Sequence, residues 1–102
     1  MPTRGEVWMV DLGMVAKTRP CLLLNDEPPE EELALLVVIP HTTSTRGSDW
    51  EVALPKSYLK PGAFHLQQIT SVPLGRLEYR MGKLDEAEFA QIRRKLRSIL
   101  AL

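Results

Sequence analysis

Short apolar segments alternate with polar stretches that contain glycine and proline along most of the chain. Valine, isoleucine and aromatic residues are frequent in these segments, and such content between turn residues is typical of β-strands. We predict strands at 6–11, 20–24, 33–39, 50–54, 63–70 and 78–81, with polar loops at 12–18, 26–32 and 41–49. The run at 33–39 is apolar at every position, which predicts a central strand that is buried on both faces and ends at Pro40.

The chain after Leu84 carries a helical pattern instead. Asp85 and Glu88 have the spacing of a capping box, and Leu84 and Phe89 have that of the hydrophobic staple that accompanies it. Apolar residues at helical spacing then predict one buried face: Phe89, Ile92, Leu96 and Ile99. Five or six strands followed by one helix predict a single domain, residues 1–102. Its class is mainly β with a terminal helix (α+β), folded as a small, partly closed barrel.

Length and composition exclude several classes of protein. The 102 residues suit one small domain, and 44% hydrophobic content is too high for a disordered chain. No apolar run approaches the roughly 20 residues that span a bilayer, and the polar N-terminus lacks the apolar core of a secretory signal, so we expect no membrane partner. The single cysteine, Cys21, excludes an internal disulfide and a cysteine-rich zinc site, and we expect a buried thiol in a reducing, cytoplasmic setting.

Charge is balanced overall but not along the chain. Residues 1–50 carry four basic and eight acidic side chains, whereas residues 51–102 carry nine basic and five acidic ones. A neutral total argues against a histone-like protein that binds nucleic acid through bulk charge. It leaves room for a local basic groove, for which Arg19, Arg46 and Arg76 are the candidates.

Two polar segments carry residue types suited to binding phosphate. Arg19 precedes Pro20, and a residue before proline is held extended, which stiffens the backbone that aims the guanidinium. Four consecutive hydroxyl side chains follow His41, and exposed backbone N–H groups in such a loop can cradle an anion. Taken singly, each segment fits a plainer interpretation better: a surface arginine beside a strand, and Ser/Thr turns that cap a strand end.

Five blocks of the sequence carry a family resemblance. They are RGEVWMVDL at 4–12, TRPCLLLND at 18–26, VIPHTTSTRG at 38–47 with EV at 51–52, QITSV at 68–72 with RL at 76–77, and GKL at 82–84. Together, and in this order, they resemble the MazF/PemK toxins of type II toxin–antitoxin systems. The resemblance spans nearly the whole chain.

The resemblance implies a fold, an activity and partners. The implied fold is the SH3-like small β-barrel of the plasmid-maintenance toxins (MazF, PemK and CcdB). The implied activity is metal-independent, sequence-specific cleavage of single-stranded RNA, in which the substrate's own 2′-hydroxyl is the nucleophile and no cofactor takes part. The implied partners are a second copy of the chain, in a homodimer, and a cognate MazE-like antitoxin that blocks the RNA groove.

The resemblance also implies roles for individual residues. Arg19 corresponds to the family's catalytic arginine, Thr42 to its catalytic hydroxyl, and Thr43 to a neighbouring RNA contact. During in-line attack, Arg19 would neutralise charge on the phosphoryl oxygens while Thr42 donates a hydrogen bond. Further RNA contacts are expected from residues in or beside the matched blocks: Ser44, Arg46, Trp50, Gln67 and Gln68.

Three departures separate this chain from the family pattern. The loop at 12–17 is a few residues shorter than usual, and Gln67 stands where many members have an aspartate. His65 stands where some PemK members have an arginine used in acid–base work, which makes it a candidate catalytic proton shuttle. His41 is the weaker candidate for that role, because its position usually holds an apolar or small residue. The plainer interpretation of either histidine is a half-exposed strand residue.

Two other functions stay open at this point. Gln67 and the short loop motivate a catalytically inactive relative that binds RNA or an antitoxin. A gyrase poison of the CcdB type shares the fold, but that group relies on a C-terminal Trp-Gly-Ile, whereas this chain ends in Ile-Leu-Ala-Leu. An assay for RNA cleavage separates the endoribonuclease from both.

Overall fold

The computed structural model describes residues 1–13 and 17–102. Part of the loop predicted at 12–17, residues 14–16, lies outside the described residues. Two single-turn 3-10 helices are present, Leu66–Gln68 and Leu74–Arg76. The remaining elements are β1 (Glu6–Asp11), β2 (Thr18–Leu23), β3 (Leu35–Thr42), β4 (Glu51–Val52), β5 (Ala63–His65), β6 (Thr70–Pro73), β7 (Leu77–Lys83) and α1 (Glu86–Leu100).

The strands form one sheet in the order β4-β5-β3-β2-β1-β7, with β6 also paired to β3. β3 pairs with two different strands along one side. Its first half pairs with β6, and His41 and Thr42 at its end pair with β5. On its other side β3 pairs with β2, where Cys21 lies opposite Pro40. The sheet therefore bends around β3 into an open, barrel-like shape, and the predicted mainly β fold with a terminal helix is confirmed.

The strand predicted at 33–39 is wrong at both ends, because β3 begins at Leu35 and ends at Thr42, and Leu33 is 78% exposed. Pro40 does not end β3, which continues through His41 to Thr42. A proline removes a single N–H from the ladder, and here the pairing with β2 runs through Pro40 while β5 pairs with the two residues beyond it. The extension places His41 and Thr42 on a paired strand instead of in the predicted loop at 41–49.

The single strand predicted at 63–70 is also wrong, because a 3-10 turn separates β5 from β6. Leu66, in that turn, is fully buried; its N–H donates to the Trp50 carbonyl (2.7 Å) and its carbonyl accepts from the Ile69 amide (3.2 Å). The sequence pattern cannot show this turn, since a buried leucine suits an extended strand and a tight turn equally. The turn moves the chain from one half of β3 to the other.

The start of α1 follows the predicted capping box, which is confirmed. The Asp85 side chain accepts from the Glu88 amide (2.8 Å), and the Glu88 carboxylate accepts from the Asp85 amide (2.9 Å). The same carboxylate binds Lys56 Nζ, so the cap of the helix also holds the segment that precedes β5. Three residues that follow Lys56 line one wall of the first of the two clefts described below: Tyr58, Leu59 and Lys60.

The main core lies between the sheet and α1. The helix face predicted from the sequence is confirmed, since Ile92 and Leu96 are buried and the two half-buried members pack against the same cluster. A second cluster contains Cys21, which is fully buried as predicted, and burial raises the pKa of its thiol to about 12. No helix in the described ranges is long and apolar enough to cross a membrane.

Candidate active site

Two open clefts meet at the end of the sheet where β2 begins and β3 ends. The first cleft has a volume of about 600 Å³ and the second cleft about 540 Å³. Arg19, Thr42 and Ser44 line both clefts, so we call these three residues the junction. A chain molecule that runs from one cleft to the other must pass over them.

The pairing of β2 with β3 explains how the junction forms. The pairing ends with Cys21 opposite Pro40, and Arg19 and Thr42 each lie two residues beyond this pair, at the same end of the two strands. Arg19 is half-buried, on a strand entrance that Pro20 keeps extended. The guanidinium of Arg19 and the hydroxyl of Thr42, which are distant in sequence, therefore lie at the same end of the sheet.

Thr42 is held in a defined orientation. Its side chain belongs to a residue that is only 7% exposed, and its Oγ1 accepts a hydrogen bond from the Ser44 amide (3.0 Å). A hydroxyl that accepts one bond still has its own proton to donate. At the junction that proton is available for a bound phosphoryl oxygen.

Gly62 packs directly against the backbone of Thr42. A Cβ placed on Gly62 would collide with the Thr42 carbonyl oxygen and would lie 3.0 Å from Cε1 of His41. Any larger residue must therefore displace the end of β3, and with it the Thr42 hydroxyl. This glycine had not been singled out from the sequence, although its place just before a strand was visible there.

The loop after Thr42 is organised by side-chain acceptors. Thr42 accepts from the Ser44 amide, and the Glu51 carboxylate accepts from the amides of Arg46 (2.7 Å) and Gly47 (2.9 Å). These three N–H groups are occupied, so they cannot form a backbone cradle for an anion, the interpretation that the sequence favoured less. The alternative of a capped turn is confirmed, and what the loop offers to a phosphate is its exposed side chains.

The second cleft contains His65, opposite Glu51 in the pairing of β4 with β5. His65 Nδ1 is buried and has no hydrogen-bond partner in the described part of the chain. Such atoms are uncommon in folded proteins, and the Tyr58 hydroxyl is a second one in this structure. The other predicted residues that line this cleft are Arg46, Trp50, Gln67 and Gln68.

The first cleft contains Thr43, for which the sequence predicts an RNA contact, and several residues that sequence reasoning missed. Two exposed lysines, Lys17 and Lys60, bring positive charge to it. Tyr58 packs on Gly82, where a Cβ would collide with the tyrosine ring, and burial raises the pKa of the Tyr58 hydroxyl. Apolar side chains complete the wall: Met9, Leu59 and Met81.

His41 also lines the first cleft, but its environment is that of a core residue. It is 5% exposed and packs edge-on against Phe64, with 5.1 Å between the ring centroids. Burial lowers its pKa, so the neutral form is favoured. The structure thus places the two histidines differently: one against the core and one with an unsatisfied nitrogen in the second cleft.

Arg76, a candidate for the basic groove, lines neither of the two clefts. Its guanidinium Nη1 lies 3.3 Å from the Asp11 carboxylate, which balances its charge. Arg19 and Arg46 do line the second cleft, so two of the three predicted arginines are brought together. Within residues 1–13 and 17–102, no group of three or more His, Cys, Asp or Glu side chains is arranged to hold a metal ion.

Comparisons with known proteins identify the family. The sequence model of the family described as "PemK-like, MazF-like toxin of type II toxin-antitoxin system" matches residues 3–100. The chain therefore belongs to this family of toxins. It is 33% identical over 95 residues to the probable endoribonuclease MazF5 of Mycobacterium tuberculosis, an alignment that covers 90% of this chain and 86% of that protein.

Solved structures share the fold along the whole chain. An endoribonuclease from mycobacterial species, solved in complex with its cognate antitoxin, superposes with a TM-score of 0.82 at 25% identity, covering 100% of this chain and 97% of that one. A MazE–MazF structure from Deinococcus radiodurans gives a TM-score of 0.81 at 23% identity, covering 99% and 96% of the two chains. The second of these likenesses concerns the fold alone.

Proposed function

We propose that this chain is a metal-independent, sequence-specific endoribonuclease toxin that cleaves single-stranded RNA. Membership of the PemK/MazF family supports the activity, as does the similarity to the probable endoribonuclease MazF5. The observation that carries the proposal is the junction, where Arg19 and Thr42 line two adjoining clefts. The cytoplasm, where RNA is translated, is the compartment in which such a toxin acts.

The proposed reaction is a transesterification within the RNA. The 2′-oxygen of one nucleotide attacks the adjacent phosphorus and loses its proton to a base, while the bond from phosphorus to the 5′-oxygen breaks and that oxygen gains a proton. The products are a 2′,3′-cyclic phosphate and a 5′-hydroxyl. Arg19 neutralises the negative charge that builds on the phosphoryl oxygens, and Thr42 donates a hydrogen bond to one of them.

We assign proton transfer to His65 and RNA contacts to the residues around it. Arginine is a poor base, since a guanidinium stays protonated near neutral pH, whereas an imidazole exchanges protons there. His65 lines the second cleft together with Arg19 and Thr42, which supports this role. RNA is held by hydroxyl, amide and guanidinium groups and by stacking on an indole: Thr43, Ser44, Arg46, Trp50, Gln67 and Gln68.

The proposed partners are a second copy of the chain and an antitoxin. One solved relative is an endoribonuclease in complex with its cognate antitoxin, and an acidic antitoxin segment can occupy a groove that attracts phosphates. For the homodimer we favour the end of α1, because Leu100 is 45% and Leu102 is 79% exposed. The segment 63–70 is a weaker candidate for this contact, because Ala63, Phe64 and Leu66 are buried in the core.

An inactive relative that only binds RNA or antitoxin is the second candidate. It is favoured by one feature, Gln67, which lies in the second cleft where many family members have an aspartate. An amide cannot take up a proton as a carboxylate does, so the family's acid–base scheme does not carry over unchanged. A cleavage assay separates the two candidates.

The experiment is incubation of the purified chain with a long single-stranded RNA in excess chelator, followed by mapping of the cut sites and their ends. We expect cuts at a short recurring sequence, with 5′-hydroxyl ends, and no cuts by the Arg19→Ala variant. Cleavage that disappears with chelator, or products with 5′-phosphate ends, would contradict the mechanism. RNA that is bound but never cut would favour the inactive relative.

A further inference from the structure

Glu51 binds the loop beside the second cleft with both of its carboxylate oxygens. Oε2 accepts from the Arg46 amide (2.7 Å) and Oε1 accepts from the Gly47 amide (2.9 Å). A negative charge close to an RNA site repels phosphates, so a carboxylate at this place weakens RNA binding unless it has another effect. The cleavage reaction itself assigns no role to Glu51.

The loop is held at several points, and Glu51 supplies most of them. Besides the two side-chain bonds, the Glu51 amide donates to the Ser48 carbonyl (3.1 Å). The Ser44 amide is bound separately, by Thr42. Gly47 has φ +70°, a backbone conformation that other residues rarely adopt, so the loop makes a sharp turn just where the carboxylate binds it.

The charge of Glu51 is maintained by the contacts that it makes. The hydrogen bond from the Arg46 amide lowers the pKa of the Glu51 carboxyl; desolvation opposes this, and the Gly47 amide and the charge of His65 lower the pKa further. The carboxylate is therefore ionised throughout the neutral range. Hydrogen bonds to an ionised acceptor are about twice as strong as those between neutral groups, which suits a role in fixing a loop.

We propose that Glu51 is a positioning residue for RNA cleavage, whose carboxylate holds the loop in the shape that presents Ser44, Arg46 and Ser48 to the second cleft. All three side chains line that cleft. The inference rests on the proposed endoribonuclease function. Glu51 acts through the loop and does not touch the reacting atoms.

The test compares Glu51→Ala with Asp49→Ala in the full chain, on an RNA oligonucleotide that the wild-type protein cleaves. Asp49 is an exposed carboxylate two residues away, so its loss removes the same charge at nearly the same place. A role through charge alone lowers KM in both variants, because repulsion of the phosphates is relieved. Positioning predicts the opposite sign for Glu51→Ala: KM rises about tenfold, the order of the cost of ordering loop side chains on binding, and kcat changes less.

Hydrogen exchange at the Arg46 and Gly47 amides gives a readout that does not depend on cleavage. We expect Glu51→Ala to lose protection at both amides, Glu51→Gln to keep it at one and to have an intermediate KM, and Asp49→Ala to keep both. An unchanged or lower KM for Glu51→Ala would overturn the proposal, as would a KM shift of equal size and sign in Asp49→Ala.

The same variants also test the proposal in two other cases. If Glu51→Ala does not fold, Glu51→Gln decides: lost protection with a wild-type KM overturns the proposal, and an intermediate KM with partial protection supports it. If the wild-type chain cleaves no RNA, the proposed function fails, and the dissociation constant for RNA takes the place of KM. A dissociation constant that Glu51→Ala leaves unchanged then overturns the positioning role as well.

Discussion

The two clefts share the junction but are built from different parts of the chain. The second cleft draws on two short stretches, the loop after Thr42 and the turn that follows His65. The first cleft is assembled from β1, the start of β2, the end of β3, the segment before β5, and β7. A site made from contiguous stretches is visible as sequence motifs, whereas one made from five separate segments exists only after folding.

The two clefts also differ in the chemical groups that line them. Hydroxyl, amide, imidazole and guanidinium groups line the second cleft, which suits hydrogen bonding and proton transfer. Methionine, leucine and tyrosine line the first cleft, together with Lys17 and Lys60, which suits packing and a contribution of charge. We therefore expect the second cleft to supply proton transfer as well as RNA contacts, and the first cleft to contribute to substrate affinity without changing kcat.

The largest effect is expected at the junction, which serves both clefts. Arg19→Ala and Thr42→Ala should each reduce kcat by about 10²–10³, the cost of removing one donor that stabilises a developing oxyanion. The measurement is single-turnover cleavage of RNA, with thermal unfolding to verify the fold. Arg76→Ala and Thr45→Ala are the matched controls, since Arg76 is paired with Asp11 and neither residue lines the clefts. Full activity in either junction variant would refute its assigned role.

The next largest effect is expected from Gly62→Ala, because Gly62 packs against the backbone of Thr42, a junction residue. The added methyl group collides with the Thr42 carbonyl, and a shift of about 1 Å in a catalytic group can cost roughly 10² in rate. We also expect a loss of about 1–3 kcal/mol in unfolding free energy from overpacking. Gly75→Ala is the control, because nothing lies within 4 Å of a Cβ at that position. Equal kinetics for the two variants would show that the Gly62 contact does not position Thr42.

A smaller effect is expected from His65→Ala, which tests proton transfer in the second cleft. We expect a loss of about tenfold, since water in an open cleft can carry part of the proton transfer, and a pH–rate profile whose shape differs from that of the wild-type protein. The profile is measured from pH 5 to 9 on one RNA substrate. If the profile of the variant keeps the wild-type shape, His65 is structural and the plainer interpretation of this residue holds.

The smallest effect is expected from Lys60→Ala, which tests the first cleft. Loss of one phosphate contact should raise KM a few-fold, leave kcat unchanged and reduce the slope of log affinity against log salt by about one. Lys83→Ala, an exposed lysine at the end of β7 that lines neither cleft, should change none of these. A fall in kcat for Lys60→Ala would break the division of roles between the clefts.

The sequence predicted those parts of the molecule that depend on local patterns. Most strands and the cap and buried face of α1 follow from alternation, helical spacing and the Asp85–Glu88 pair. The family resemblance led to Arg19 and Thr42, and the register of β2 with β3 supplies the physical reason why these two residues meet.

Features that depend on tertiary pairing could not be predicted from one sequence. β3 continues past Pro40 because β5 pairs with its last two residues. The chain turns after β5 because the side chain of Leu66 is buried in the core. The amides of Arg46 and Gly47 are bound by Glu51 at the start of β4, and the sequence pattern alone does not show that this carboxylate turns back onto the loop. Lys60 and Tyr58 reach the first cleft only because the segment that carries them folds over β3 and β7.

The most direct test of the account uses RNA oligonucleotides that contain the mapped cut site and differ in one atom. One carries a 2′-deoxy sugar at the nucleotide that supplies the proposed nucleophile, and another carries it one position downstream. The account predicts that the first oligonucleotide binds with unchanged affinity but is not cut, whereas the second is cut and yields a 5′-hydroxyl end. Cleavage of the first oligonucleotide at the original bond would contradict attack by the 2′-hydroxyl at the Arg19–Thr42 junction.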